Sequence, residues 1–111
     1  MPTPDLMLGL PGEAVVREGL ADYEAGRCTV PACLVGMARS RLQRAGLLTA
    51  AVGRFIPEPE PQLYRLLRQE GGDAYSRYNG LLRELTSFEQ ALDGRQSRQL
   101  AAERGNAVPL R

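Results

Sequence analysis

The apolar positions of this chain recur at helical spacing nearly from end to end. Val16, Leu20 and Tyr23 follow an i, i+4, i+7 step and share one face. Pro11 and Gly12 precede them, and Gly26 follows where a left-handed C-cap would sit. This predicts a first helix over about 12–25. Thr29 then offers an N-cap hydroxyl, with Pro31 in the first turn, where its missing N–H costs nothing. Leu34, Ala38, Leu42 and Ala45 form one row beside Val30, Cys33 and Met37, and Gly46 ends the run, predicting a second helix over about 30–45.

Residues 47–57 read less clearly, with a short helix near 49–56 capped by Thr49 as the expectation. Pro57, Pro59 and Pro61 alternate with Glu58 and Glu60. Each proline fixes φ and biases its predecessor away from the α region, so the segment is a stiff elbow. It lacks the flanking basic residue of a proline-rich ligand. Leu63, Leu66 and Leu67 predict a third helix over about 60–70, which Gly71 and Gly72 stop. Asp73 is a good N-cap for a fourth. There Tyr78, Leu81, Leu85, Phe88 and Leu92 recur at alternating three- and four-residue steps, a heptad-like stripe that Gly94 is expected to close, giving a helix over about 73–93. Residues 95–111 hold four arginines and few large apolar side chains, which predicts a frayed helix or a disordered tail.

The fold class is therefore all-α. A compact bundle of four main helices is expected over residues 1–94, followed by a basic tail at 95–111. Its core is expected around Leu34, Leu42, Leu66, Leu81, Leu85 and Phe88. A chain of 111 residues is one domain and can bury one core without staples. That core is mainly aliphatic, because the chain has no Trp and only Tyr23, Phe55, Tyr64, Tyr75, Tyr78 and Phe88 as aromatics.

Charge changes the picture most between Arg27 and Pro57. That stretch has no acid and five arginines, namely Arg27, Arg39, Arg41, Arg44 and Arg54. By segment, residues 1–26 carry −4, 27–57 carry +5, 58–93 carry −3 and the tail +3, for a net +1. The structural explanation is that an acidic first helix lies antiparallel to a basic second helix. The functional one is that Arg39, Arg41 and Arg44 form a basic face for an anion or an acidic partner. Arg41 falls at the edge of the apolar stripe, over Met37 and Leu34, where it must snorkel or pair.

A second polar group lies in the fourth helix. Tyr75 and Asn79 are i, i+4 neighbours next to Arg77, so Tyr75, Arg77 and Asn79 are candidates for a small polar pocket reached by Arg41. Gly80 within this helix costs about 1 kcal/mol relative to Ala, which suggests a close helix approach there.

Chemistry has little to stand on. There is no histidine and no lysine, and no glycine-rich phosphate loop, nucleophile elbow or dinucleotide fingerprint. No catalysis and no cofactor are expected. The two cysteines, Cys28 and Cys33, cannot complete a four-ligand zinc site in a chain without histidine, so no metal is expected either. Two buried, reduced thiols are the favoured reading. The first ten residues lack a basic region and do not read as a signal peptide, and no apolar run is long enough for a membrane span. The cytoplasm is the default.

The leading expectation is a non-catalytic protein-interaction or regulatory module. Its partner is another protein or itself. The third helix is too short to cover the fourth-helix stripe, so Phe88 and Leu92 are the candidate self-association residues and a homodimer is slightly favoured over a monomer. The alternative is nucleic-acid or anionic-ligand binding through 27–57. Nucleic acid is disfavoured, because the helix that begins near Val30 has no base-reading side chain in its first turn.

Overall fold

The structure, a computed structural model, describes residues 5–48 and 56–107. Within them are five helices and no strand: α1 (Glu13–Glu24), α2 (Val30–Met37), α3 (Arg39–Arg44), α4 (Pro59–Glu70) and α5 (Ala74–Ala107). The all-α class holds. The expected short helix near 49–56 lies, apart from Ile56, outside the described residues.

The capping chemistry works as the side chains dictate. Thr29 Oγ1 accepts from the Ala32 N–H at 3.2 Å, and Pro31 occupies the first turn of α2. Asp73 accepts from the Ser76 N–H at 3.1 Å and the Ser76 hydroxyl at 2.8 Å. Gly26 and Gly46 sit at φ 78° and 77°, in the left-handed region that glycine enters without penalty.

Three boundaries differ from the sequence pattern. The segment 30–45 is two helices, because Ala38 adopts φ −96°, ψ 14° and its N–H is shared between the Leu34 and Val35 carbonyls at 3.1 Å each. The ladder resumes at once with the Leu42 N–H on the Ala38 carbonyl at 2.9 Å. Second, α4 starts at Pro59, so Pro59 and Pro61 both lie in its first turn, where no intrahelical N–H bond is lost. The elbow before it is tightened by Glu58, the only described non-glycine residue at positive φ, at 48°. Third, Gly94 does not close α5. The helix runs through it to Ala107, where a weakly ordered tail was expected. One interior glycine costs about 1 kcal/mol. Bonds to distant parts of the chain offset that: Arg95 Nη1 donates to the Leu6 and Leu8 carbonyls at 3.2 and 2.5 Å, and Gln96 Nε2 to the Arg44 carbonyl at 3.5 Å.

At 34 residues α5 is about 50 Å long, and the molecule is correspondingly elongated, 60 × 28 × 21 Å. The most extensive helix interface is between α1 and α2. It depends on Gly19. A Cβ added there would lie 2.3 Å from the Pro31 carbonyl oxygen and 2.7 Å from Val35 Cγ2. Gly80, the position expected to permit close approach, has nothing within 4 Å of an added Cβ. The expectation named the wrong glycine, because helical period alone does not say which face meets backbone.

The core joins Val16, Leu20 and Tyr23 of α1 to Ala32, Cys33, Leu34 and Val35 of α2, with Leu42, Leu63, Leu67, Leu85, Phe88 and Leu92. Leu63 and Leu67 are fully buried, whereas Leu66 and Leu81 are only partly so. Phe88 and Leu92 are both 0% exposed, so the exposed strip on which self-association was expected is not present. The α4 helix is indeed too short to cover them. The turn before α1 takes its place: Met7 and Leu10 join the core cluster, Gly12 approaches Phe88, and Arg95 anchors the backbone of this turn.

The two glycines give a paired test. Gly19→Ala should destabilise by about 3 kcal/mol or more, since the obstructing atom is a backbone carbonyl that cannot rotate away. Gly80→Ala should stabilise by about 0.5–1 kcal/mol, as an unobstructed helix-interior exchange. Urea unfolding followed by circular dichroism measures both, and equal effects would refute the packing assigned to Gly19.

Candidate functional site

Two arginines of the basic stretch, Arg27 and Arg41, are paired with carboxylates. Arg41, on α3, places its guanidinium against Asp93 and, at 3.6 Å, Glu89, both on α5. Arg41 therefore finds its acids on α5, whereas Arg27 of the same basic segment pairs with Asp22 on α1, as the antiparallel arrangement had suggested. Arg39 is half-buried, and Arg44 is exposed beside Arg41, Asp93, Gln96 and Leu100 at the rim of an open depression of about 340 Å³. Burial holds the Glu89 carboxyl above the ordinary range even with Arg41 nearby, and the Asp93 charge adds to the rise.

Arg27 is likewise engaged. It donates to Asp22 at 2.9 Å through Nε, and the Thr29 hydroxyl donates to the other Asp22 oxygen at 2.7 Å. Asp22 is the one buried charged residue among the described residues. It locks the α1–α2 connection, because Thr29 simultaneously caps α2. The bonds from Thr29 and then Arg27 hold the Asp22 carboxyl below its ordinary range. The Asp22, Arg27 and Thr29 spacing was visible in the sequence but carried no periodic signal.

The expected polar pocket does not assemble. Arg77 turns toward Glu70, 2.7 Å away across the Gly71–Gly72 turn. Asn79 faces a separate depression with Leu82, Arg83, Thr86 and Ser87, and Arg41 is bound elsewhere. Tyr75 and Asn79 stand one turn apart on α5 but line different depressions.

Tyr75 instead joins a group that the periodicity did not reveal. An open groove of about 510 Å³ between α4 and α5 is lined by Glu60, Pro61, Tyr64, Tyr75 and Tyr78. The Tyr64 and Tyr78 rings meet edge to face, with centroids 5.4 Å apart and planes at 83°. Tyr78 donates its hydroxyl to Glu60 Oε2 at 2.8 Å. Burial first, and then this bond to a carboxylate, raise the Tyr78 hydroxyl above its ordinary value. Tyr75 is 66% exposed and makes the open wall. Pro61 and Tyr64 also border a neighbouring depression of about 430 Å³ with Arg65, Arg68 and Gln69. The available signal was composition: three of the chain's four tyrosines fall within fifteen residues on two adjacent helices.

The cysteines differ from the expectation of two buried thiols. Cys33 is fully buried, while Cys28 is exposed, with Gln62 Nε2 donating to its sulfur at 3.5 Å. Burial, with Cys28 alongside, pushes the Cys33 thiol up to about 12. Among the described residues, no three potential ligating side chains come together and no helix is long and apolar enough to cross a membrane. No family model, curated protein or solved structure matches this chain.

Two tests follow from these environments. At neutral pH a disulfide thiol reagent should label Cys28 rapidly and Cys33 only after denaturation, as read by mass spectrometry. Equal labelling of both in the native state would contradict the packing of α2. Because the folded pKa of Asp22 is depressed, its stabilisation is complete above the ordinary aspartate value of 3.8 and disappears as pH falls through the lower folded value. Asp22→Asn should therefore lower the melting temperature at about pH 6 and lose less of it on acidification toward about pH 2. An acid limb as steep as that of the wild type would remove Asp22 from the pH response.

Proposed function

We propose that this chain is a non-catalytic protein-interaction module that docks a partner on the tyrosine groove between α4 and α5. The observation behind this is the concentration of Tyr64, Tyr75 and Tyr78 with Pro61 on one open surface. Tyrosine supplies large contact area with few rotatable bonds and a polar tip, so it is enriched in binding surfaces. The fold does not need Tyr75 in that position, since its side chain is mostly in solvent. The face once considered for self-association offers no comparable surface, with Phe88 and Leu92 enclosed. The rival reading, an anion or nucleic acid on 27–57, is weakened because Arg27 and Arg41 already have carboxylate partners. Arg54 of that stretch lies outside the described residues.

The test is capture from lysate on the immobilised chain, with and without nuclease, comparing the wild type with Tyr64→Ala/Tyr75→Ala. Truncating a central aromatic anchor costs about 2 kcal/mol or more, roughly 30-fold in affinity. A specific protein retained by the wild type after nuclease treatment and lost from the folded double variant is expected. Capture that vanishes with nuclease, or that ignores the double substitution, would overturn the reading.

A further inference from the structure

The chemistry of the groove is that of a cation receptor. Its walls are three phenol rings and a proline, and its one charged group is the Glu60 carboxylate. Aromatic faces are negative, so rings set around a carboxylate favour a positive guest. Among the described residues that line the groove there is no cation to fill this role. The arginines nearby are occupied or face elsewhere: Arg77 is held by Glu70 at 2.7 Å, and Arg65 donates to Gln62 at 2.6 Å. Arg68 borders the depression on the other side of Tyr64.

The carboxylate decides which cation fits. Tyr78 donates to Oε2 of Glu60, a single bond on a group with room for several, and Glu60 is exposed. A quaternary ammonium would use the rings but could not hydrogen-bond to that carboxylate. A lysine ammonium is a strongly hydrated point charge, and an open groove does little to strip its water. A guanidinium is planar and weakly hydrated. It can lie on a tyrosine face while its in-plane N–H groups reach a carboxylate. The perpendicular arrangement of Tyr64 and Tyr78 suits this, because it offers walls of two orientations beside Glu60.

We propose that the Glu60–Pro61–Tyr64–Tyr75–Tyr78 groove receives an arginine side chain of a partner polypeptide, stacked on the tyrosines and hydrogen-bonded to Glu60. This deepens the protein-docking reading above and rests on it for the source of the arginine. The binding itself can be measured without any partner, so the two can fail separately.

The probe is the blocked tripeptide acetyl-Gly-Arg-Gly-amide, with citrulline, lysine and trimethyl-lysine versions as controls. The readout is the shift of the tyrosine ring signals in proton NMR, supported by tyrosine fluorescence, which no tryptophan obscures in this chain. Saturable binding in the millimolar range is expected for the arginine peptide, as for a single exposed cation–aromatic site. Tyr75→Ala and Glu60→Gln should each weaken it by about fivefold or more, at unchanged helical content. Two responses overturn the proposal: the citrulline peptide binding equally well, or both substitutions leaving the arginine peptide unaffected. A trimethyl-lysine peptide that binds more tightly and ignores Glu60→Gln would replace it with a quaternary-ammonium site. If Tyr75→Ala instead converts a dimer to a monomer in light scattering, the occupant is a second copy of this chain, and the separate-partner assignment falls.

Discussion

The contact between Gly19 and the Pro31 carbonyl sets the spacing on which this bundle depends. With no side chain on Gly19, α1 and α2 approach until backbone meets backbone, closer than helices separated by side chains. That approach seals Val16, Leu20 and Tyr23 against Cys33, Leu34 and Val35, and it leaves the far side of α2 free for α4. The α2 helix has the character this requires. It is apolar around most of its circumference, as a helix surrounded by neighbours must be. Gly36 continues the theme on the other side, where an added Cβ would come within 3.2 Å of Pro59. The proline elbow thus enters α4 against a bare patch of α2.

Polar connections hold the parts that the core alone would leave loose, and they fall into three groups. Asp22, Arg27 and Thr29 lock the α1–α2 connection and cap α2 at once. Arg41 ties α3 to α5 through Glu89 and Asp93, and Arg95 ties α5 to the turn before α1. The last two explain how a 34-residue helix is seated by elements much shorter than itself. Exposed ion pairs of this kind contribute little each. Their value here is positional: they bring the N-terminal turn and α3 over the Phe88–Leu92 part of α5. The acids do not respond alike to pH. Asp22 favours its charged form through its two donors, whereas burial works against the charge on Glu89.

Helix existence, the capping residues and the all-α class were legible in the chain because each is a local property. Thr29, Asp73, Gly26 and Gly46 act within one turn of where they stand, and the stripe from Leu85 to Leu92 turns inward wherever it finds cover. Other features required knowing what lies across from a residue. Gly94 looked like a terminus, but Arg95 and Gln96 just beyond it have partners far away in the chain. Gly80 and Gly19 are equally bare in sequence, and only one faces a neighbouring backbone.

The pattern of apolar residues, caps and breakers by itself determined an all-helical chain, the approximate extent of its helices and most of its core. These follow from short-range hydrogen bonding and from the free-energy cost of leaving apolar faces in water. Tertiary structure alone decided which surface stayed open. It enclosed Phe88 and Leu92, paired Arg41 with carboxylates and gave Tyr75 and Asn79 different neighbours. It also drew Tyr64 of α4 beside Tyr75 and Tyr78 of α5. The physical reason is that periodicity specifies a face of one helix, whereas a binding groove belongs to two, and the angle at which they meet is set by packing over the whole core.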